Sequence, residues 1–139
     1  MADTACFTSV AGVAAGSSSK SVYIRIVDTL GAPQTGLAFN SAGLIASYAR
    51  MGAARVAITP ATLAALTTAW TSGGFKEVDA TNMPGVYRLD VPNAAFVSGS
   101  DFVEVTVWKS AAYHGSVMIP LTKSATGGVS DNSTTRTNN

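Results

Sequence analysis

The sequence predicts an all-β fold, an antiparallel Ig-like or jelly-roll-like β-sandwich in a single domain. Three observations predict it. Short runs alternate apolar and polar residues, the period of a half-buried strand. Turn signals built from Gly, Pro and Asn separate these runs at regular spacing. The 139 residues allow one two-layer core and little more.

Residues 1–20 read as a flexible N-terminal arm, because VAAGSSSK is small and linker-like. The sandwich is expected over 21–123. In SVYIRIVDTLG, Val22, Ile24 and Ile26 share one face and Tyr23 and Arg25 the other. GAPQTG is a turn set by Pro33 and Gly36. LAFNSAGLIASYARMG reads as a short strand, a turn around Asn40 to Gly43, and a second strand through Tyr48. ARVAIT is a further short strand.

TPATLAALTTAW leaves two readings open. Thr59 is a good N-cap, Pro60 suits a first helical position, and Leu63, Leu66 and Trp70 recur at helical spacing. The β-branched pair Thr67 and Thr68 argues instead for a strand.

GGFKEVDATNMPGVYRLDVPNAAF reads as a hairpin. Phe75, Glu77 and Asp79 fall on one side of its first strand, Lys76 and Val78 on the other. Pro84 and Gly85 set a type II turn, because Pro fixes its own φ and Gly supplies a positive one. Tyr87, Leu89 and Val91 then point inward, and Arg88 and Asp90 outward into solvent. Pro92 ends the strand, and NAAFVSGSD is a connection. In FVEVTVWK, Val103, Val105 and Val107 point inward against Phe102, Glu104, Thr106 and Trp108. SAAYHG is a turn, and SVMIPLTK brings Val117, Ile119 and Leu121 inward. Residues 124–139 are a polar tail without the apolar residues a core needs.

The same residues bound the chemistry. Charged side chains are only 12% of the chain and the net charge is +1, so there is no basic stripe to hold phosphates and no nucleic-acid partner is expected. So few charges suit a surface partly covered by neighbours. Cys6 is the one cysteine, which excludes an intrachain disulfide and a thiolate zinc site. The N-terminus has no basic region before its mildly apolar stretch, and no run is long enough for a span, so the expectation is a protein made in a cytoplasm with no membrane partner. Asn132-Ser133-Thr134 fits the glycosylation pattern only formally.

His114, the one histidine, falls in a turn, where it reads as a solvated side chain. Glu77 and Asp79 share a strand face, as would Asp90 and Glu104 if their strands were neighbours; such a pair is what a small hydrolase would use. The simpler reading is a solvated face balanced by Lys76, Arg88 and Lys109. No nucleophile elbow, phosphate loop or dinucleotide fingerprint occurs. No catalytic, metal or cofactor residues are therefore assigned, and no small-molecule ligand is expected. Phe102 and Trp108, outward on their strand, are candidate contact residues for another chain. Tyr113 and Trp70 join them, and Trp108, Tyr113 and Trp70 are also the side chains able to stack on sugar rings.

Three blocks, KSVYIRIVDTLGAPQTGLAFNSAGLIASYAR, GGFKEVDATNMPGVYRLDVPNAAFVSG and VEVTVWKSA with SVMIPL, resemble a family of small β modules in tailed-phage structural proteins. The resemblance covers roughly residues 20 to 122. It implies a non-enzymatic virion protein of the capsid decoration (cement), head-fibre or tail-fibre-root kind. A module with two arms and no fibre shaft fits decoration best. The resemblance then implies homotrimers on the capsid surface, bound to the major capsid protein and stabilising the shell. A tail or baseplate adaptor, and a carbohydrate- or receptor-binding module, are the alternatives.

Overall fold

The computed structural model describes residues 12–109 and 113–123. Cys6, most of the expected arm and the whole expected tail lie outside them. The described chain is an all-β sandwich of strands β1 (Val13–Ala14), β2 (Lys20–Arg25), β3 (Leu44–Arg50), β4 (Val56–Ile58), β5 (Ala61–Thr62), β6 (Gly74–Asp79), β7 (Met83–Val91), β8 (Phe102–Lys109) and β9 (Tyr113–Thr122). A single 3-10 turn, Asn93–Phe96, joins β7 to β8. One sheet has the order β1-β9-β8-β3-β4 and the other β2-β7-β6-β5. The central ladders are antiparallel, and only the edge pairings β1·β9 and β5·β6 are parallel. Alternation within a strand carries no information about a neighbour's direction, so these two pairings are not written in any local pattern.

The alternation places the core. Val103, Val105 and Val107 of β8 are buried together with Ala46 and Tyr48 of β3 and Ile119 and Leu121 of β9. From the facing sheet come Ile24, Phe75, Tyr87, Leu89 and Val91, with Ile26 just beyond β2. Phe75 and Tyr87 stack with ring centroids 4.9 Å apart. Phe96, read from sequence as part of a plain connection, is completely buried in the 3-10 turn. Arg50 holds that connection down: its guanidinium donates to the carbonyls of Ala95 (3.1 Å), Val97 (2.6 Å) and Ser98 (3.0 Å).

Several local expectations need correction. Val13–Ala14 pairs with Leu121 and Thr122, so the end of the expected arm is part of a sheet. Leu37–Phe39 is not a strand, because the Leu37 N–H is taken by the Tyr87 hydroxyl at 3.1 Å rather than by a ladder. The turn after β6 closes at Ala80–Asn82, one step before Pro84 and Gly85. The Asp79 carboxylate causes this by accepting the N–H groups of Thr81 and Asn82, both at 2.9 Å. Pro84 and Gly85 instead lie within β7 where its register with β6 shifts. Gly85 has φ +83°, and a Cβ there would press on the Pro33 ring at 2.8 Å. Pro33 and Gly36 do lie in the loop between β2 and β3, with Gly36 at φ +81°.

The sandwich closes at one corner. Val27 and His114 exchange backbone hydrogen bonds at 3.0 and 2.9 Å, tying the end of β2 to the start of β9. Gly115, buried beside them, lets the two chains touch, because a Cβ at this position would overlap the Arg25 carbonyl oxygen. Gly115→Ala must therefore part the two sheets at this corner. The expected outcome is a loss of about 1–3 kcal/mol, the usual cost of overpacking, measured by urea unfolding with an unchanged m-value.

Candidate functional site

The alternation of β7 sends Arg88 and Asp90 to the outer face of the four-stranded sheet, as expected. That face is not solvated. Arg88 is 8% exposed and Asp90 0%. They form a two-pronged ion pair, Nε to Oδ1 at 2.7 Å and the second nitrogen, Nη2, to Oδ2 at 2.8 Å. The segment following β5 folds back over them. The remaining Arg88 nitrogen, Nη1, donates to the carbonyls of Leu66 (2.6 Å) and Thr68 (2.9 Å). Asp90 accepts from the Ser21 hydroxyl at 2.6 Å and from the Thr71 N–H at 3.0 Å.

This contact settles the two readings of residues 59–70. Apart from the short β5, the segment is neither helix nor strand. The carbonyls that a helix would turn onto its own N–H groups are held by Arg88 instead, and the Ala65 N–H finds the Thr68 hydroxyl at 2.9 Å. Leu63 is buried under this lid, and the half-buried Trp70 donates its indole N–H to the Lys20 carbonyl at 3.1 Å.

Asp90, Asp79 and Glu77 each hold backbone N–H groups. Burial pushes the Asp90 carboxyl up, but the hydrogen bonds from Arg88, Ser21 and Thr71 outweigh it and hold the group below the ordinary carboxylate range. Asp79 is lowered by the backbone and side-chain N–H groups of Asn82 and by the Thr81 N–H. Glu77 accepts the N–H groups of Gly36 at 2.8 Å and Gly85 at 3.3 Å, bridging the β2–β3 loop and β7. Asp90 and Glu104, paired in the sequence reading on the condition that their strands were neighbours, lie in different sheets. The Tyr87 hydroxyl, pushed up to about 12 by burial, donates to the Gln34 carbonyl at 2.7 Å. Among the described residues no cluster of three or more His, Cys, Asp or Glu side chains gathers to hold a metal ion. No described helix is long and apolar enough to cross a membrane.

The four candidate contact residues do not form one surface. Trp108 is 45% exposed on the outer face of the five-stranded sheet, and Phe102 lies half-buried at the other end of the same strand face. Tyr113 pairs with Lys109 on the inward row and packs against the core, with the Lys109 ammonium 5.4 Å from its ring centre. Trp70 belongs to the lid on the opposite sheet.

What joins Trp108 are Ile45, Met51 and Met118, which the sequence reading passed over, and His114, which it placed in a turn and which lies in β9. Ile45 lies beside it on β3, and His114 beside it on β9. Met118 is opposite Glu104, and Met51 hydrogen-bonds to Phe102 through the backbone at 3.0 Å. Ile45, Met51 and Met118 are all substantially exposed. The signal was present: each alternates out of phase with an inward neighbour. Between them lie the small residues Thr106, Ser116, Ser47, Ala49 and Ala57. The result is a sheet face that no other segment among the described residues covers, with large apolar side chains exposed on it.

Compared with protein-family models, curated proteins and solved structures, the chain matches none.

Asp90→Asn removes the charge that Arg88 needs while leaving Arg88 covered. The expected cost is about 3–5 kcal/mol at neutral pH, as for other broken buried pairs. Because the folded carboxyl is held low, wild-type stability is complete above the unfolded value, about 3.9, and falls as pH drops through the folded value. Asp90→Asn lacks this dependence, so urea midpoints of the two proteins converge on acidification below about pH 4.

Proposed function

We propose that this chain is a structural protein of a phage particle, a capsid decoration (cement) protein that clamps neighbouring major capsid subunits from the outer surface and stabilises the shell. The observation that carries this reading is the open outer face of the five-stranded sheet, where Trp108, Ile45, Met118 and Met51 are exposed on a rigid support. The polar groups agree with it. Arg50, Arg88, Glu77, Asp79 and Asp90 all bind backbone, so shape is what they maintain. The low charge and the resemblance of residues 20 to 122 to tailed-phage β modules point the same way.

A tail or baseplate adaptor, or a fibre root, would use the same fold at far lower copy number. The exposed Trp108 indole favours a sugar-binding module as the second alternative. Copy number separates these. Quantitative mass spectrometry of purified virions is expected to give a ratio near one per major capsid subunit. A few to a few tens of copies per particle would move the protein to the tail, and complete absence from particles would overturn the virion reading.

A further inference from the structure

A guanidinium has five N–H groups. In Arg88, two go to Asp90 and the two on Nη1 go to the Leu66 and Thr68 carbonyls. The fifth, on Nη2, has no acceptor among the described residues, although Arg88 is only 8% exposed. A buried donor left without an acceptor is costly and calls for a partner. Beside Arg88 a cavity of about 330 Å³ opens between Tyr23 of β2 and Leu66 of the lid, with Ser21, Val22 and Arg88 completing its walls. Asp90 does not line it, so the cavity meets the positive end of the ion pair.

The charge around this cavity is one-sided. Tyr23, Arg88 and Lys76 form one row across β2, β7 and β6, and Arg25 lies two residues from Tyr23 on the same face. Neither Arg25 nor Lys76 joins an ion pair among the described residues. Lid residues 63–72 include no charged side chain. Asp90 is the one acid in the outward rows of β2, β7 and β6, and it is fully buried against Arg88. Tyr23 stands 64% exposed at the rim, an aromatic ring with a hydroxyl, the kind of side chain that anchors protein contacts.

We infer that this cavity takes the carboxylate of an acidic side chain, Glu or Asp, presented by a partner protein. This deepens the assembly reading above and rests on it for which protein the partner is. The carboxylate accepts the fifth Arg88 N–H, a charge-assisted bond. Its aliphatic stem lies between the Tyr23 ring and Leu66, and Arg25 and Lys76 attract the acidic segment around it. A neutral amide fills the same hydrogen bond without gaining from the cations, so charge decides the ligand. A free small carboxylate lacks the stem that the Tyr23 and Leu66 walls cover. The cavity is at the small end of ligand sites, which suits one side chain.

Titration of the isotope-labelled full chain, read by NMR at the backbone amides and the Arg88 side-chain N–H groups, tests this at neutral pH and low ionic strength. The probes are the blocked peptide acetyl-Ala-Glu-Ala-amide, the same peptide with Gln in place of Glu, and sodium acetate. The Glu peptide is expected to shift the Arg88, Ser21, Tyr23 and Leu66 signals saturably, with a Kd of about 1–10 mM, as suits one charge-assisted contact. The Gln peptide and acetate each bind at least about fivefold more weakly. Tyr23→Ala, and Arg25→Glu combined with Lys76→Glu, each weaken the Glu peptide at least about threefold. These side chains stand outside the core, and far-UV circular dichroism establishes that the variants are folded. No saturable shift at the cavity, a Gln peptide or acetate as tight as the Glu peptide, or unchanged binding in the folded variants would overturn the inference. Binding of the Glu peptide with no copies of the chain in virions would leave this inference standing and overturn the virion reading. Virions carrying a chain whose cavity ignores the Glu peptide would do the reverse.

Discussion

The Arg88–Asp90 pair is the contact on which the arrangement of this molecule depends. Two charges on the outer side of a strand would ordinarily stand in water. Here they are buried, and a buried pair by itself adds little net stability, because desolvation offsets attraction. Its effect is positional. With Asp90 holding two of the Arg88 nitrogens, the third is aimed at the Leu66 and Thr68 carbonyls, while Asp90 reaches the Thr71 N–H and the Ser21 hydroxyl. One ion pair thus fixes a segment with little regular structure of its own. Arg50 does the same at the other sheet, where three carbonyls of the β7–β8 connection share one guanidinium. The planar fork of arginine suits both tasks, and lysine would not replace it.

The two outer faces of the sandwich differ as a result. The lid over Arg88 covers part of the four-stranded sheet. Among the described residues no segment covers the outer side of the five-stranded sheet, and there the alternation of β3, β8 and β9 leaves large apolar side chains exposed. The scarcity of charge acquires a physical sense from this. Several of the few ionised groups hold loop backbone in place.

Much of the fold was legible in the sequence because it depends on local period. The inward valines of β8, the inward Tyr87, Leu89 and Val91 of β7, and the outward position of Trp108 all follow from alternation. What was not legible depends on distant partners. Nothing near Arg88 says that a segment some twenty residues earlier will cover it, so its environment was misread as solvent. The helical spacing of Leu63, Leu66 and Trp70 was real, yet Arg88 took the carbonyls a helix needs. Pro84 and Gly85 look like a turn, but Asp79 closes the hairpin first. For the open face, Trp108 and Phe102 were visible singly. Ile45, Met118 and Met51 could join them only once strand order was known, and the same order removed Tyr113 and Trp70.

The central claim, that the Arg88–Asp90 pair places the lid rather than holding the sandwich together, is tested most directly by residue-resolved hydrogen exchange on the Arg88→Leu/Asp90→Leu double variant. The account predicts that the Thr71 amide and its neighbours in the lid lose protection, while the amides of β8 and β9 keep theirs. Lid amides as protected as in the wild type would contradict it, and so would a uniform loss across both sheets.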